Sequence, residues 1–143
     1  MKNILPRDEN VWLLVADSVR AEPGGKMSLF GFIGTERIQI PATTPLPTAL
    51  PVTFVFLLRE GVGAFSAAFQ VRDPEGNLVY SEALADAVKP SARENHGIAV
   101  TMAPFVIPAL GPYRLTLTLD GKRYKRTFTV EADGKEFFLS TKH

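Results

Sequence analysis

Residues 113–130, YRLTLTLDGKRYKRTFTV, decide the fold class. Asp120-Gly121 at the centre is a two-residue hairpin signal, because a type I′ turn needs positive φ at both central positions. Folding the chain there sets Leu117 opposite Tyr124 and Tyr113 opposite Phe128. Tyr113, Leu115, Leu117 and Leu119 then share one face with Tyr124 and Phe128, while Arg114, Thr116, Thr118, Arg123, Lys125 and Thr127 face away. Alternation with a period of two, apolar on one side only, predicts a half-buried antiparallel ribbon. Arg126 falls on the apolar face and is expected to snorkel past a sheet edge.

The same kind of segment recurs along the chain. Short runs rich in Val, Ile, Leu, Phe and Thr, separated by Gly, Pro, Asn and Asp, predict strands at about 11–16, 26–34, 36–41, 52–58, 65–72, 78–84, 98–102, 113–119 and 122–130. No long helical pattern interrupts them. The expected architecture is all-β: a two-sheet antiparallel β-sandwich of immunoglobulin-like kind with eight or nine strands. It forms one domain over 1–143, its core at about 11–131 with short extensions at both ends. In VWLLVA (11–16) and VTFVFLL (52–58) both faces are apolar, so each strand needs cover on its second face. The C-terminal Phe137–Leu139 or a second copy of the chain is expected to supply it. Four prolines in 41–51, PATTPLPTALP, exclude a central strand there and favour an extended crossing between sheets. No two of them have PxxP spacing, which argues against a proline-recognition ligand. Residues 83–95, ALADAVKPSAREN, leave the alternation and read as a long loop, with room for one helical turn.

The 143 residues suffice for one sizeable core. Hydrophobic residues make up 45% and charged residues 22%, an ordinary globular balance. Sixteen Lys and Arg against fifteen Asp and Glu leave a charge of +1, so the bulk charge indicates neither a nucleic-acid nor an acidic-membrane partner. There is no cysteine, hence no disulfide, thiolate metal site or Cys nucleophile. Charged residues Arg7, Asp8 and Glu9 precede the first apolar run and Asp17 ends it, which does not fit a secretory signal. No apolar stretch reaches the roughly 20 residues of a membrane helix. The expected location is the cytoplasm.

Motifs that carry chemistry are weak. In RAEPGGKMSLFGFIG (20–34), Gly25-Lys26 suggests a phosphate loop, but its first glycine is missing, Met27 replaces its magnesium-holding hydroxyl, and a strand follows. Pro23-Gly24-Gly25 is read as a hairpin turn. GVGAFS (61–66) lacks the third glycine of a dinucleotide fingerprint. DPEGN (73–77) is too short for a calcium loop and reads as a tight turn. His96 has only Glu94 near it as a co-ligand, and it is the only histidine placed to act as a base; His143 ends the chain. No G-x-S-x-G elbow or glycosidase frame is present. Trp12, alone in an apolar strand, is expected in the core. No catalytic, cofactor or metal residue is therefore assigned. The one concentrated charge is KRYKR (122–126), which presents Arg123 and Lys125, with Arg114 beside them, as a patch for an anion or acidic partner, or as a charged face that blocks strand pairing.

LLVADSVRAEPGGKMSLFGFIGTERIQIP together with GPYRLTLTLDGKRYKRTFTV resembles a bacterial family of single-domain proteins of unknown function. The residues that carry the resemblance are Ala16-Asp17, Gly25-Lys26, Phe30-Gly31, Gly111, Tyr113, Asp120-Gly121, Phe128 and Val130. Phe30 stands where that family usually has leucine. The resemblance implies an immunoglobulin-like β-sandwich and brings no activity with it. The expectation from sequence is a non-enzymatic interaction or assembly module with a protein partner or a second copy of itself. The alternative is a sandwich that binds a small carbohydrate or anion.

Overall fold

The computed structural model describes residues 2–23 and 26–133. After a 3-10 turn at Asp8–Asn10 come nine strands: β1 (Val11–Ala21), β2 (Met27–Gly34), β3 (Arg37–Pro41), β4 (Thr48–Leu58), β5 (Gly63–Arg72), β6 (Leu78–Lys89), β7 (His96–Ile107), β8 (Gly111–Leu119) and β9 (Lys122–Asp133). They form two sheets, ordered β2-β1-β4-β7 and β3-β9-β8-β5-β6. All neighbours are antiparallel except β3, which runs parallel to β9.

The β8–β9 hairpin has the register its turn dictates. Asp120 and Gly121 both have positive φ, and Leu117 faces Tyr124 while Tyr113 faces Phe128. The apolar face of this ribbon meets that of the other sheet. Phe54 of β4 lies 5.9 Å from Phe69 of β5 and 5.1 Å from Phe128 of β9, with Phe105 of β7 at 5.7 Å on its own sheet. Phe105 in turn meets Tyr113 edge-on at 5.8 Å. Aromatic contacts of this kind add about 0.5–1.5 kcal/mol each beyond the area they bury. The Tyr113 and Tyr124 rings are buried because each hydroxyl finds a backbone acceptor, Ala109 and Pro6 respectively, at 2.7 Å.

Several elements differ from the sequence reading. Strand β6 runs on to Lys89, so residues 83–89 are strand and not loop. Its pairing with β5 shifts register between Phe65 and Ala67 and again between Val71 and Arg72; bulged edges of this kind break the periodicity that sequence reading relies on. Strand β4 begins at Thr48 and contains Pro51, despite lying between β1 and β7. Pro51 is tolerated because the β4–β7 register shifts between Leu50 and Val52, and no ladder bond is asked of it. Trp12 is 46% exposed, not in the core, with the Arg59 guanidinium 4.0 Å from its ring centroid. β2 pairs with β1 only from Val15 onward, which among the described residues leaves Trp12 without a neighbouring strand on that side.

The second apolar face of β4 is covered by the chain's own β1–β2 hairpin. Thr53 and Val55 are fully buried. Thr53 Oγ1 lies 3.1 Å from Thr101 Oγ1 and 3.5 Å from the Asp17 carbonyl of the hairpin. Met27 Cε comes within 2.7 Å of where a Cβ on Gly97 would stand, with Val55 behind it. Residues 137–139 lie outside the described residues. The turn at Gly24-Gly25 also lies outside them, but the strands on either side pair antiparallel, with Ala21 opposite Met27.

The N-terminal extension is a strap over one end of the sandwich. Ile4 bridges to Val62, and Gly61 permits the close passage, since a Cβ there would stand 2.8 Å from the Ile4 carbonyl. Arg7 donates to Glu60 from its backbone N, Nε and Nη2 at 2.7, 2.9 and 3.1 Å. These hydrogen bonds hold the Glu60 carboxyl at about 2, below its ordinary 4.5. A depressed carboxyl stabilises the fold above the unfolded pKa and loses that contribution as pH falls. The melting temperature is therefore expected to drop between pH 4.5 and 2, modestly because both groups are exposed, and Glu60→Gln should flatten that part of the curve.

Candidate functional site

The outer face of the β3-β9-β8-β5-β6 sheet carries the candidate site. On β8 and β9 the outward residues pair as Thr118 with Arg123, Thr116 with Lys125 and Arg114 with Thr127. Strand β5 lies on the other side of β8, setting Gln70 opposite Thr116 and Arg72 opposite Arg114. Together these side chains line an open groove of about 730 Å³, with Gly121 and Arg126 at its margin. No carboxylate lines it. Glu131, farther along β9, is occupied by Arg37 at 3.3 Å and Gln39 at 3.1 Å.

The three residues that the sequence singles out, Arg114, Arg123 and Lys125, thus come together in one groove. Among the described residues none of them has a carboxylate partner. Arg72 and Gln70 complete the groove and were missed. The alternation in FQVR faces both outward, but nothing in the sequence says that β5 lies beside β8. Arg72 and Arg114 are directly opposite each other, and like charges in that position destabilise a sheet. Arg72 also donates to the Gly76 carbonyl of the Asp73–Asn77 turn at 3.0 Å. Four cations, three threonine hydroxyls and an amide give the groove donors and almost no negative charge. Chemically it suits an anion.

Arg126 has a different task. Its guanidinium reaches the open seam between the sheets, where it donates to the Asp8 and Val11 carbonyls at 2.7 Å and to Asp8 Oδ1 at 3.1 Å. The expected snorkelling ends in a hydrogen-bonded tie between β9, the 3-10 turn and β1.

The other candidates are elsewhere. His96 opens β7 opposite Leu58, half-buried, and its pKa is lowered by burial and by the nearby Lys89 charge. No hydroxyl or carboxylate among the described residues hydrogen-bonds it. Lys89 is buried, donates to the Ser91 carbonyl at 2.7 Å, and is likewise pushed down by burial. In the Asp73–Asn77 turn the Asp73 carboxylate accepts from the Glu75 and Asn77 amides at 2.9 Å, so its oxygens serve the turn. No group of three potential metal ligands stands together among the described residues, and none of their helices is long and apolar enough to cross a membrane.

A family model matches residues 11–131, from the first residue of β1 into the end of β9. The chain belongs to DUF6941, a family of unknown function. No curated protein matches the sequence. The DUF6941 match takes in β1 to β8, β9 as far as Glu131, and every residue of the groove, and it leaves outside it the strap of residues 2–10.

Proposed function

We propose that this DUF6941 protein is a non-enzymatic interaction module that holds an anionic partner on the outer face of β5, β8 and β9. The observation that carries this reading is the like-charged pair Arg72–Arg114 beside Arg123 and Lys125, with no acid among them. A bound anion would relieve their mutual repulsion. If the face served only to block strand pairing, mixed charges would do as well, and the repulsion would have no purpose. Reversing two charges, Arg123→Glu/Lys125→Glu, is expected to weaken binding of a glutamate-rich peptide at low salt by roughly tenfold to a hundredfold.

The carbohydrate alternative has one observation in its favour, the exposed Trp12. Arg59 already stacks on that ring, and Tyr113 and Tyr124 are buried, so a sugar platform would have to displace Arg59. A homodimer through the outer faces of β1 and β4 has less to bury than the sequence implies, because Thr53 and Val55 are already covered.

The sandwich itself reads as immunoglobulin-like. Two observations support this: the Tyr113 hydroxyl near the start of β8 donates to the Ala109 carbonyl four residues upstream, and β3 pairs parallel at the edge of β9 while β4 pairs with β7 in the other sheet. Sandwiches of that kind host many unrelated roles, so the proposal rests on the groove and not on the fold.

A further inference from the structure

Both sheets are one strand short at the same corner. β3 pairs with β9 only from Thr129 onward, and β2 pairs with β1 only from Val15 onward, because residues 34–36 cross from one sheet to the other. Among the described residues, 122–127 of β9 therefore have β8 on one side and no strand on the other, over roughly 20 Å. The Asp120-Gly121 turn makes Leu119 and Lys122 a hydrogen-bonded pair, so the amides of Arg123, Lys125 and Thr127 point away from β8. Thr129, two residues on with the same parity, donates to the Glu36 carbonyl at 2.8 Å, in that direction. No acceptor for the Arg123, Lys125 or Thr127 amides is present among the described residues, whereas the Lys125 carbonyl is held by Arg126 at 2.7 Å. Beside this edge runs a groove of about 520 Å³ whose apolar wall is Val11, Trp12, Leu13 and Leu14.

Building on the anionic-partner reading, we infer that the partner is a polypeptide that adds an extended strand to the free edge of β9, in line with β3. A strand placed there turns alternate side chains to opposite sides. One set lies beside Arg123 and Lys125 on the outer face, where carboxylates fit; the other turns inward into the seam beside the core-facing Val11 and Leu13, where apolar side chains fit. The recognised segment thus alternates acidic and apolar residues. Asp8 and Glu9 at the seam are engaged by Arg126 and Arg7, and Glu36 beside them has no ion pair among the described residues, so the seam opposes an acidic side chain more than an apolar one. Nucleic acid fits poorly, since the cationic face offers no exposed aromatic ring on which a base could stack.

The probe is a capped Val-Glu alternating octapeptide, used with two backbone N-methylated forms, one methylated at every Val and one at every Glu. The unmodified peptide should bind the full-length protein and slow deuterium exchange at the Arg123, Lys125 and Thr127 amides. One methylated form, and only one, should lose affinity by about tenfold or more, because a single set of amides faces β9. Thr127→Pro removes an edge amide that β8 does not use, so it should weaken the peptide while leaving the melting temperature within a few degrees. Equal binding of all three peptides, with no protection at β9, overturns strand addition and leaves the anionic face standing. Binding of inorganic phosphate or a single-stranded oligonucleotide but of no peptide also overturns it, in favour of a different anion. Failure to bind any of these probes overturns both readings.

Discussion

Phe54→Ala is expected to destabilise the protein by about 3–5 kcal/mol, a large part of the 5–15 kcal/mol typical of a domain. Phe54 is fully buried where its ring meets three others drawn from both sheets. Removing its ring leaves a cavity lined by Phe69, Phe105 and Phe128, none of which can move in without abandoning its own contacts. Denaturant unfolding measures the loss as a lower midpoint at unchanged slope. Phe54→Leu keeps most of the volume and should lose less. Phe30→Ala, at a ring 44% exposed, should change stability by about 0.5 kcal/mol or less, and an equal loss at both positions would contradict this account of the core.

Gly31→Ala is expected to cost about 1–3 kcal/mol for two separable reasons. Gly31 has φ +65, a region that L side chains enter only under strain, and a Cβ there would fall on the Asp17 carboxylate. Asp17 and Gly31 lie across from each other in the β1–β2 hairpin, two residues past the register shift at Val15. The hairpin is also what covers Thr53 and Val55, so distortion here loosens the outer side of β4. A double-mutant cycle with Asp17→Ala separates the two terms: the steric part should be recovered and the φ penalty should remain. No recovery would mean that backbone strain alone sets the cost.

Ala16-Asp17 and Phe30-Gly31 were readable only as a family pattern. The structure gives them a physical basis, a carboxylate seated on a glycine across a hairpin. What the sequence made legible was local. Asp120-Gly121 determined the turn, the turn determined the register, and the register put Arg114, Arg123 and Lys125 on one face. What it did not make legible depended on partners distant in sequence. Trp12 looks like a core residue until one knows that β2 stops pairing at Val15. Arg72 and Gln70 belong to the groove only because β5 is the next strand after β8. The strand character of residues 83–89 was hidden by two register shifts, and Pro51 was misread as a strand breaker because a bulge cannot be seen in a single strand. The free edge of β9 follows from where β3 begins, which alternation along β9 does not reveal.

The β5-β8-β9 face is proposed as a binding site and not just a charged surface. Its most direct test measures the affinity of a fluorescent glutamate-rich peptide for three proteins at low salt: wild type, Arg123→Glu/Lys125→Glu, and Arg20→Glu/Lys26→Glu. The last two carry the same net charge, and differ only in which face is reversed. Binding is expected from the wild type and the Arg20/Lys26 variant, with loss confined to the Arg123/Lys125 variant. Equal weakening in both variants would show that net charge alone attracts the peptide, and would contradict a site on that face.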